Sequence, residues 1–291
     1  MRSVELFCGI GLSSLGLVKA GTQLMGACDL TKQFIDIFNA QSCLPHVAVA
    51  MNVDDYEIPP CDLLSAGPVC KAFSPGATVF GTKGSEDDRN TFPHYFRALE
   101  RSLPDYILIE NSYGLQRFKG YLEEILGKLR YYGYQVECQE IDCYDYGVPQ
   151  HRRRVIILGS KKGPWHITKP ENRVGPETVG DCRPWDCTRP MTEGELKYWN
   201  RDPRHAKKHP PLSFDAPAST VVSNYKRGVP YGAVRMPDGS LSMCCPRLAA
   251  RLQGLPEEYD VSVGSRTRMF EGIGNGFPPP VIEYLVRSLV L

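Results

Sequence analysis

The sequence predicts an α/β protein built on a doubly wound, mostly parallel sheet. Two observations predict this fold class: short aliphatic runs alternate with longer amphipathic stretches over residues 1–160, and a glycine-rich turn follows the first run. Hydrophobic residues make up 42% and charged residues 23% of the 291-residue chain, a composition that is typical of globular proteins and excludes extensive disorder.

The elements of the sheet follow one another along the first 160 residues. Short aliphatic runs predict buried strands at residues 4–7, 24–28, 47–51, 63–66, 106–110 and 155–158. Helical spacing of apolar residues predicts helices at residues 12–20, 32–40, 92–102 and 121–132. Residues 161–211 are rich in Pro, Trp, Arg and Lys, which indicates a loop-rich insertion, and a last helix is expected from about residue 279 to 291.

The charge balance limits the function classes. The 34 Lys and Arg residues against 33 Asp and Glu residues exclude a globally basic nucleic-acid coat protein but allow a local basic groove. No apolar stretch reaches the ~18 residues of a membrane span, and the N-terminus lacks the apolar segment of a signal peptide. We therefore expect a protein that is neither secreted nor in a membrane, with its 11 cysteines reduced.

A glycine-rich turn lies between the first predicted strand and the first predicted helix. Residues 7–11 read Phe-Cys-Gly-Ile-Gly, and such a turn lets a ligand approach the backbone closely, although a tight turn without a ligand is the alternative. Asp29 ends the next strand about 20 residues on, where an acid holds a ribose hydroxyl in dinucleotide-binding folds. Together the two features favour an adenosine-containing cofactor.

Cys70 lies in a loop after the fourth predicted strand. The segment at residues 67–74 reads Gly-Pro-Val-Cys-Lys-Ala-Phe-Ser, and ligands of open α/β sheets bind at such strand ends. A cysteine there can act as a nucleophile when a neighbouring cation such as Lys71 favours its thiolate form. A buried structural cysteine is the alternative.

A glutamate and an arginine cluster follow in the same half of the chain. Glu110 ends the fifth strand, where a carboxyl group lining a cleft can act as a general acid; a solvated or helix-capping glutamate is the alternative. Strand alternation places Arg152 and Arg154 on one side and Arg153 on the other. Two arginines on one side suit an anionic or carbonyl-bearing ligand, and an ordinary basic surface is the alternative.

These motifs, in this order, resemble those of the DNA (cytosine-5) methyltransferase family. The segments that are similar to its motifs are residues 7–11 (cofactor motif), 67–74 (catalytic Pro-Cys loop), 110–112 (Glu-Asn-Val motif) and 146–154 (Gln-x-Arg-x-Arg motif). Three later segments also resemble family sequence: residues 212–220, 247–256 and 274–280. The resemblance thus covers the chain except for about residues 161–211.

The resemblance implies methyl transfer from S-adenosylmethionine to carbon 5 of a flipped-out cytosine in double-stranded DNA. It implies that Cys70 adds to carbon 6 and that Glu110 binds and protonates the N3 side of the ring. Arg152 would orient the base and the catalytic groups, with Arg154 as the weaker assignment. The residues implied at the cofactor are Phe7, Gly9, Gly11, Asp29, Asn52, Pro68 and Asn275.

The resemblance also divides the chain and implies a DNA-binding surface. Residues 1–160 and 260–291 form the expected Rossmann-like catalytic and cofactor-binding domain, and residues 161–259 form a small target-recognition region. The basic cluster at residues 197–208 suits phosphate contacts, although a solvated basic loop is the alternative. The residues expected at the DNA are Lys71, Ser74, Arg89, Lys197, Arg201, Arg204, Lys207 and Lys208. We expect a monomer that works in the cytoplasm, at the nucleoid, or in the nucleus.

Several positions depart from the family pattern. Val69 precedes the nucleophile where the family has Pro, Lys71 follows it where the family has Gln, and Asn52 stands where an acid commonly holds the adenine. Arg-Asn-Thr at residues 89–91 replaces Arg-Gly-Thr. No catalytic group is lost, so an active enzyme is expected, but the identity of the methyl donor stays open.

Two other functions and one other site are compatible with the sequence. The functions are a tRNA cytosine-5 methyltransferase of the same fold, whose usual Cys-Phe-Thr signature is not found, and a non-catalytic DNA-binding regulator. The spacing of Cys182, Cys187, His205 and His209 is close to that of a zinc site. The two pairs are farther apart than in a typical zinc finger, so we expect no metal there.

Overall fold

The computed structural model describes residues 1–69, 86, 89–202, 204, 207, 209–227 and 231–290. Four predicted site residues lie outside the described residues: Cys70, Lys71, Ser74 and Lys208. In the described part of the chain, no helix is both long and apolar enough to cross a membrane.

A mixed sheet of seven strands is the centre of the described structure, in the order β3-β2-β1-β4-β5-β8-β6. Its strands are β1 (Arg2–Leu6), β2 (Gln23–Asp29), β3 (Ala48–Ala50), β4 (Leu63–Ala66), β5 (Tyr106–Ser112), β6 (Gln135–Asp142) and β8 (Arg153–Ser160). The first five pair in parallel, and β8 runs antiparallel to both β5 and β6. A short strand, β7 (Gln150–His151), pairs with β11 (Ala218–Ser219) outside this sheet.

Helices cover both faces of the sheet. The helices within residues 1–160 are α1 (Leu12–Lys19), α2 (Lys32–Asn39), α3 (Phe92–Ser102) and α4 (Lys119–Tyr131). The later ones are α5 (Glu193–Arg201), α6 (Pro246–Leu252), α7 (Arg266–Asn275) and α8 (Pro279–Val290). One apolar core contains residues of α1, α2, α7 and α8, and a second contains residues of α3 and α4. This arrangement confirms the predicted doubly wound, mostly parallel sheet.

Two features of the sheet differ from the simple alternation of strand and helix. Strand β6 was not predicted, because its sequence is polar and most of its residues are half-buried at the sheet edge. Strand β8 is antiparallel because the connection from Asp142 to Arg153 is too short for the crossover that parallel neighbours require.

A smaller sheet lies in residues 161–259. It has the order β10-β12-β13-β9, formed by β9 (Arg189–Pro190), β10 (Leu212–Ser213), β12 (Ala233–Arg235) and β13 (Leu241–Met243). Trp199 of α5 is buried with Met191 and Met243 in a small separate core. The helix α5 lies where loops were expected. Its capping box, Thr192 with Glu195, is the sequence signal that could have predicted it.

Candidate active site

The glycine turn opens at the carboxyl end of β1 in a left-handed backbone conformation. Phe7, Gly9 and Gly11 have φ values of 59°, 54° and 88°. A Cβ at Gly11 would lie 2.6 Å from the side chains of Leu44 and Phe38, so this position needs glycine. A Cβ at Gly9 would meet no atom within 4 Å, so the turn faces open space there.

Asp29 links the glycine turn to the end of β2. Its Oδ2 accepts a hydrogen bond from the Gly9 N–H at 3.0 Å, and its Oδ1 accepts one from the Thr31 N–H at 2.8 Å. Asn52 is exposed just after β3, next to Met51, whose N–H donates to the Asp29 carbonyl at 3.0 Å. The structure therefore brings the predicted cofactor residues Phe7, Gly9, Asp29 and Asn52 to one edge of the sheet.

Three exposed apolar side chains at this same edge were missed by the sequence analysis. Leu30 and Met51 directly follow β2 and β3, and Val69 lies three residues after the end of β4. Their side chains are 75%, 40% and 37% exposed, respectively. Exposed aliphatic residues at strand ends suit an apolar or aromatic ligand surface. The signal that could have found them is an aliphatic residue next to a polar site residue, as Leu30 is next to Asp29.

Glu110 and Arg154 form an ion pair at the carboxyl end of β5. Arg154 Nε lies 2.7 Å from Glu110 Oε1, and the two side chains are only 13% and 15% exposed. A Cβ at Gly67 would lie 3.6 Å from Glu110 Oε2, so the carboxylate lies beside the backbone of Gly67. Gly67 is three residues before the predicted nucleophile, Cys70, so the pair lies beside the backbone that leads to it.

Arg152 is buried and binds backbone carbonyls. It is 1% exposed, and its guanidinium donates to the carbonyls of Val221, Gly274 and Gly276 at 3.0, 3.1 and 2.7 Å. The sequence favoured Arg152 over Arg154 as the residue that orients the catalytic groups. The structure places Arg154 on Glu110, and Arg152 on Val221 and on the carboxyl end of α7, and the catalytic roles of both arginines stay predictions.

Two hydrogen bonds hold the backbone just before Cys70. Asn111 Nδ2 donates to the Pro68 carbonyl at 3.0 Å, and the Val69 N–H donates to Thr91 Oγ1 at 2.7 Å. Pro68 and Asn111 are both buried. Asn275, another predicted cofactor residue, is exposed at the end of α7.

The predicted DNA-binding residues that the structure describes are exposed. They are Arg89, Lys197, Arg201, Arg204 and Lys207. Arg204 is partly neutralised, because it pairs with Asp202 at 2.8 Å. Lys197 and Arg201 lie on α5, where the Arg201 guanidinium lies 5.6 Å from the centre of the Tyr198 ring.

The possible zinc ligands are only partly described. Cys182 is buried, and the Cys187 thiol donates to the Arg183 carbonyl at 3.7 Å. His205 lies outside the described residues. Within the described part of the chain, no three His, Cys, Asp or Glu residues form a group that could hold a metal ion. The expectation that no metal binds here stays a prediction.

The sheet order and the polar residues at its carboxyl edge are typical of Rossmann-like methyltransferases. A profile of the C-5 cytosine-specific DNA methylase family matches residues 1–238, and the chain therefore belongs to this family of DNA cytosine-5 methyltransferases. This confirms the resemblance found in the sequence.

Similar proteins agree with this assignment. Type II methyltransferase M.AplI of Arthrospira platensis is 29% identical, over 98% of this chain and 84% of that protein. Type II methyltransferase M.NgoMIV of Neisseria gonorrhoeae is 26% identical, over 99% of this chain and 96% of that protein. The fold is similar to the crystal structure of the S. pombe Dnmt2 methyltransferase, with a TM-score of 0.76 and 22% identity over 100% of this chain and 98% of that one.

Proposed function

We propose that the protein transfers a methyl group from S-adenosylmethionine to carbon 5 of cytosine in double-stranded DNA. The observation that carries this proposal is the Glu110–Arg154 ion pair beside the backbone that leads to Cys70. The reaction needs a thiol and a carboxyl group from the protein, and Glu110 supplies a carboxyl group beside the backbone that leads to Cys70.

The carboxyl edge of the sheet suits the methyl donor. The open space at Gly9 and the Asp29 carboxylate fit a ribose, and the exposed Leu30 and Met51 side chains fit an adenine ring. Further contacts are proposed for the remaining predicted cofactor residues: Phe7, Gly11, Asn52, Pro68 and Asn275. When bound, S-adenosylmethionine supplies the electrophilic methyl group that carbon 5 takes up.

The protein activates the cytosine. The Cys70 thiolate forms a bond to carbon 6, and the Glu110 carboxyl group, which must be protonated when the base binds, gives its proton to the N3 side of the ring, so that electron density develops at carbon 5. Arg154 holds the Glu110 carboxyl group in place and stabilises the carboxylate that remains after proton transfer. After methylation, N3 returns its proton to the Glu110 carboxylate and a water molecule takes the carbon-5 proton. The electrons of that C–H bond form the double bond between carbons 5 and 6, and the bond to Cys70 breaks, which regenerates the thiolate.

The DNA contacts belong to the same proposal. We infer that basic and polar residues of both the catalytic domain and the proposed recognition region bind the DNA, chiefly its phosphates, and that a flipped base enters the site. The residues in question are Lys71, Ser74, Arg89, Lys197, Arg201, Arg204, Lys207 and Lys208. The proposal includes a monomeric enzyme at the nucleoid or in the nucleus, and sedimentation velocity of the purified protein measures its oligomeric state.

A labelling experiment tests the reaction. The protein is incubated with S-adenosylmethionine labelled in its methyl group and with duplex DNA, tRNA or free cytidine nucleotides. Label is expected in cytosines of the duplex DNA, and duplex DNA that carries 5-fluorocytosine should form a covalent adduct. Cys70→Ser should form no adduct, whereas the control Cys138→Ser should form it normally. Label in tRNA alone, or in no substrate, would contradict the proposal.

A further inference from the structure

The hydrogen bond between Val69 and Thr91 joins two distant parts of the chain. The Val69 N–H donates to Thr91 Oγ1 at 2.7 Å across 22 positions of sequence. Thr91 directly precedes α3, yet its side chain makes no capping hydrogen bond to that helix. The Thr91 hydroxyl therefore binds the Val69 N–H and does not cap α3.

The donor in this hydrogen bond is one that proline lacks. The family pattern has Pro at the position of Val69, and proline restrains its own φ without any partner. Valine has no such restraint, so a hydrogen bond to its N–H is a physical substitute for the proline ring. The restraint matters here because Val69 is bonded to Cys70.

The backbone that carries the Thr91 hydroxyl is held in place by hydrogen bonds of its neighbour, Asn90. Asn90, next to Thr91, is buried; its Nδ2 donates to the Tyr121 hydroxyl of α4 at 2.8 Å, and its Oδ1 accepts from the Phe92 N–H at 3.1 Å. These contacts fix the backbone on both sides of Thr91 to α3 and α4. The family pattern has Gly at the position of Asn90, and glycine could make no such side-chain contacts.

We propose that Thr91 is a positioning residue for the nucleophile, acting through the Val69 N–H. The Thr91 hydroxyl restrains the backbone that precedes Cys70, and the Asn111 side chain restrains Pro68 one residue earlier. The inference rests on the proposed function, because it assigns to Cys70 the role of nucleophile.

Substitution of Thr91 gives the first test. Thr91→Val removes the hydroxyl but keeps nearly the same side-chain shape. We expect kcat to fall about tenfold, which is the effect of losing one hydrogen bond that positions the reacting group. The KM for DNA should stay nearly unchanged. Thr91→Ser keeps the hydroxyl and should restore most of the rate. The rate of adduct formation with 5-fluorocytosine DNA should fall in parallel with kcat.

A matched control separates positioning from stability. The Thr22 hydroxyl also makes a hydrogen bond to the backbone, which it donates to the Leu17 carbonyl at 2.9 Å, and it is buried at the amino end of β2, away from the site. Thr22→Val should lower the thermal unfolding temperature without changing kcat. An equal fall of kcat in Thr22→Val and Thr91→Val would overturn the proposal, because the effect would then be general destabilisation.

The decisive measurement combines two substitutions. Val69→Pro removes the N–H and supplies its own restraint, so adding Thr91→Val to it should change kcat less than about twofold. A further tenfold fall in the double variant would overturn the proposal, because Thr91 would then act by another route. If Val69→Pro does not fold, the comparison of Thr91→Val with Thr91→Ser tests the proposal. Equal kcat values of these two variants would then reject the proposal. An inactive wild-type enzyme would instead contradict the proposed function itself.

Discussion

Arg152 and Arg154 lie two positions apart and bind different parts of the protein. The Arg152 guanidinium is enclosed among carbonyls, so its charge is neutralised by fixed dipoles and is not free to meet a ligand. Arg154 instead pairs with Glu110, which lies beside the backbone that leads to Cys70. At the scale of single residues, the proposed mechanism therefore depends most directly on the ion pair Glu110–Arg154.

The Glu110 carboxyl group should be required for the rate and not for cofactor binding. We expect Glu110→Gln to lower kcat by about 10²- to 10⁴-fold, the usual contribution of a general acid. Single-turnover methylation and calorimetric titration with S-adenosylmethionine measure the two effects. Glu140→Gln is the matched control, since Glu140 also pairs with an arginine, the more exposed Arg153. Equal losses in both variants would contradict the assigned role.

Glu5 should make the stability of the protein depend on pH. It is buried in β1, where the Ser14 hydroxyl donates to it, and burial raises its pKa from 4.5 to about 8. The unfolded carboxyl group releases its proton near pH 4.5, while the folded one keeps it up to about pH 8. The unfolded state thus binds fewer protons in this window, and stability falls as pH rises, by up to about 1.4 kcal/mol per pH unit.

Glu5→Gln tests this titration, because glutamine does not ionise. Urea unfolding of both proteins at pH 5 and pH 8 should show a smaller loss of stability in the variant. The same loss in the variant and in the wild type would show that Glu5 is not responsible.

At the scale of elements, the antiparallel direction of β8 creates the site. A parallel β8 would start at the amino edge of the sheet, far from the end of β5. Because β8 is antiparallel, its beginning lies at the carboxyl edge, and the register places Arg154 opposite Ser112. Arg154 then reaches Glu110, two residues earlier on β5.

The helix α5 should depend on its capping box. Thr192 Oγ1 accepts from the Glu195 N–H at 3.3 Å, and Glu195 Oε2 accepts from the Thr192 N–H at 2.9 Å. Thr192→Ala should destabilise α5 by about 1 kcal/mol and speed amide hydrogen exchange in this helix. Ser265→Ala, which removes the cap of α7, is the matched control and should speed exchange in α7 only. Unchanged exchange in α5 would rule out a role for the cap.

At the scale of the whole molecule, a buried polar network joins residues 150–152, just before β8, to later parts of the chain. Gln150 Nε2 donates to the Leu252 carbonyl and its Oε1 accepts from the Val221 N–H, while Gln253 Nε2 donates to the Ile273 carbonyl. Arg152 extends the network to α7 and the segment that follows it. Hydrogen bonds from residues 150–152 thus hold together segments that are far apart in sequence.

Loss of Arg152 should therefore be destabilising. Arg152→Met removes the donor from the buried carbonyls of Val221 and Gly274 and one of two donors from the Gly276 carbonyl, and we expect the free energy of unfolding to fall by about 3 kcal/mol. Arg153→Met, at the exposed neighbouring position, should change it by less than about 0.5 kcal/mol. Urea denaturation curves compare the two, and similar values would show that the network is not a major source of stability.

The recognition region should bind DNA through its charge. Neutralising the exposed Lys197 and Lys207 with glutamine should weaken DNA binding about equally for all sequences. The dependence of log K on log salt should become less steep by about one unit for each lysine that binds a phosphate in the wild type. Fluorescence anisotropy at several salt concentrations measures both, with Lys19→Gln/Lys128→Gln as the control. An unchanged salt slope would show that Lys197 and Lys207 are ordinary solvated surface residues that do not bind phosphates.

Local sequence patterns were sufficient for much of this protein. The predicted strands at residues 4–7, 24–28, 63–66 and 106–110 were confirmed within a few residues, because burial and backbone preference act over short stretches. The ordered motifs also predicted the family correctly, since each motif is contiguous in sequence. The roles of the individual site residues stay predictions.

Only the tertiary structure decided which of these residues meet. Strand direction, and with it the contact of Arg154 rather than Arg152 with Glu110, depends on pairing between segments over 40 residues apart. The bond from Val69 to Thr91 and the exposure of Leu30 likewise depend on how distant segments pack. Periodicity indicates whether each segment is buried or exposed but contains no information on which segment it pairs with. Composition and motifs therefore determined which chemical groups are available. Long-range packing determined how those groups are arranged.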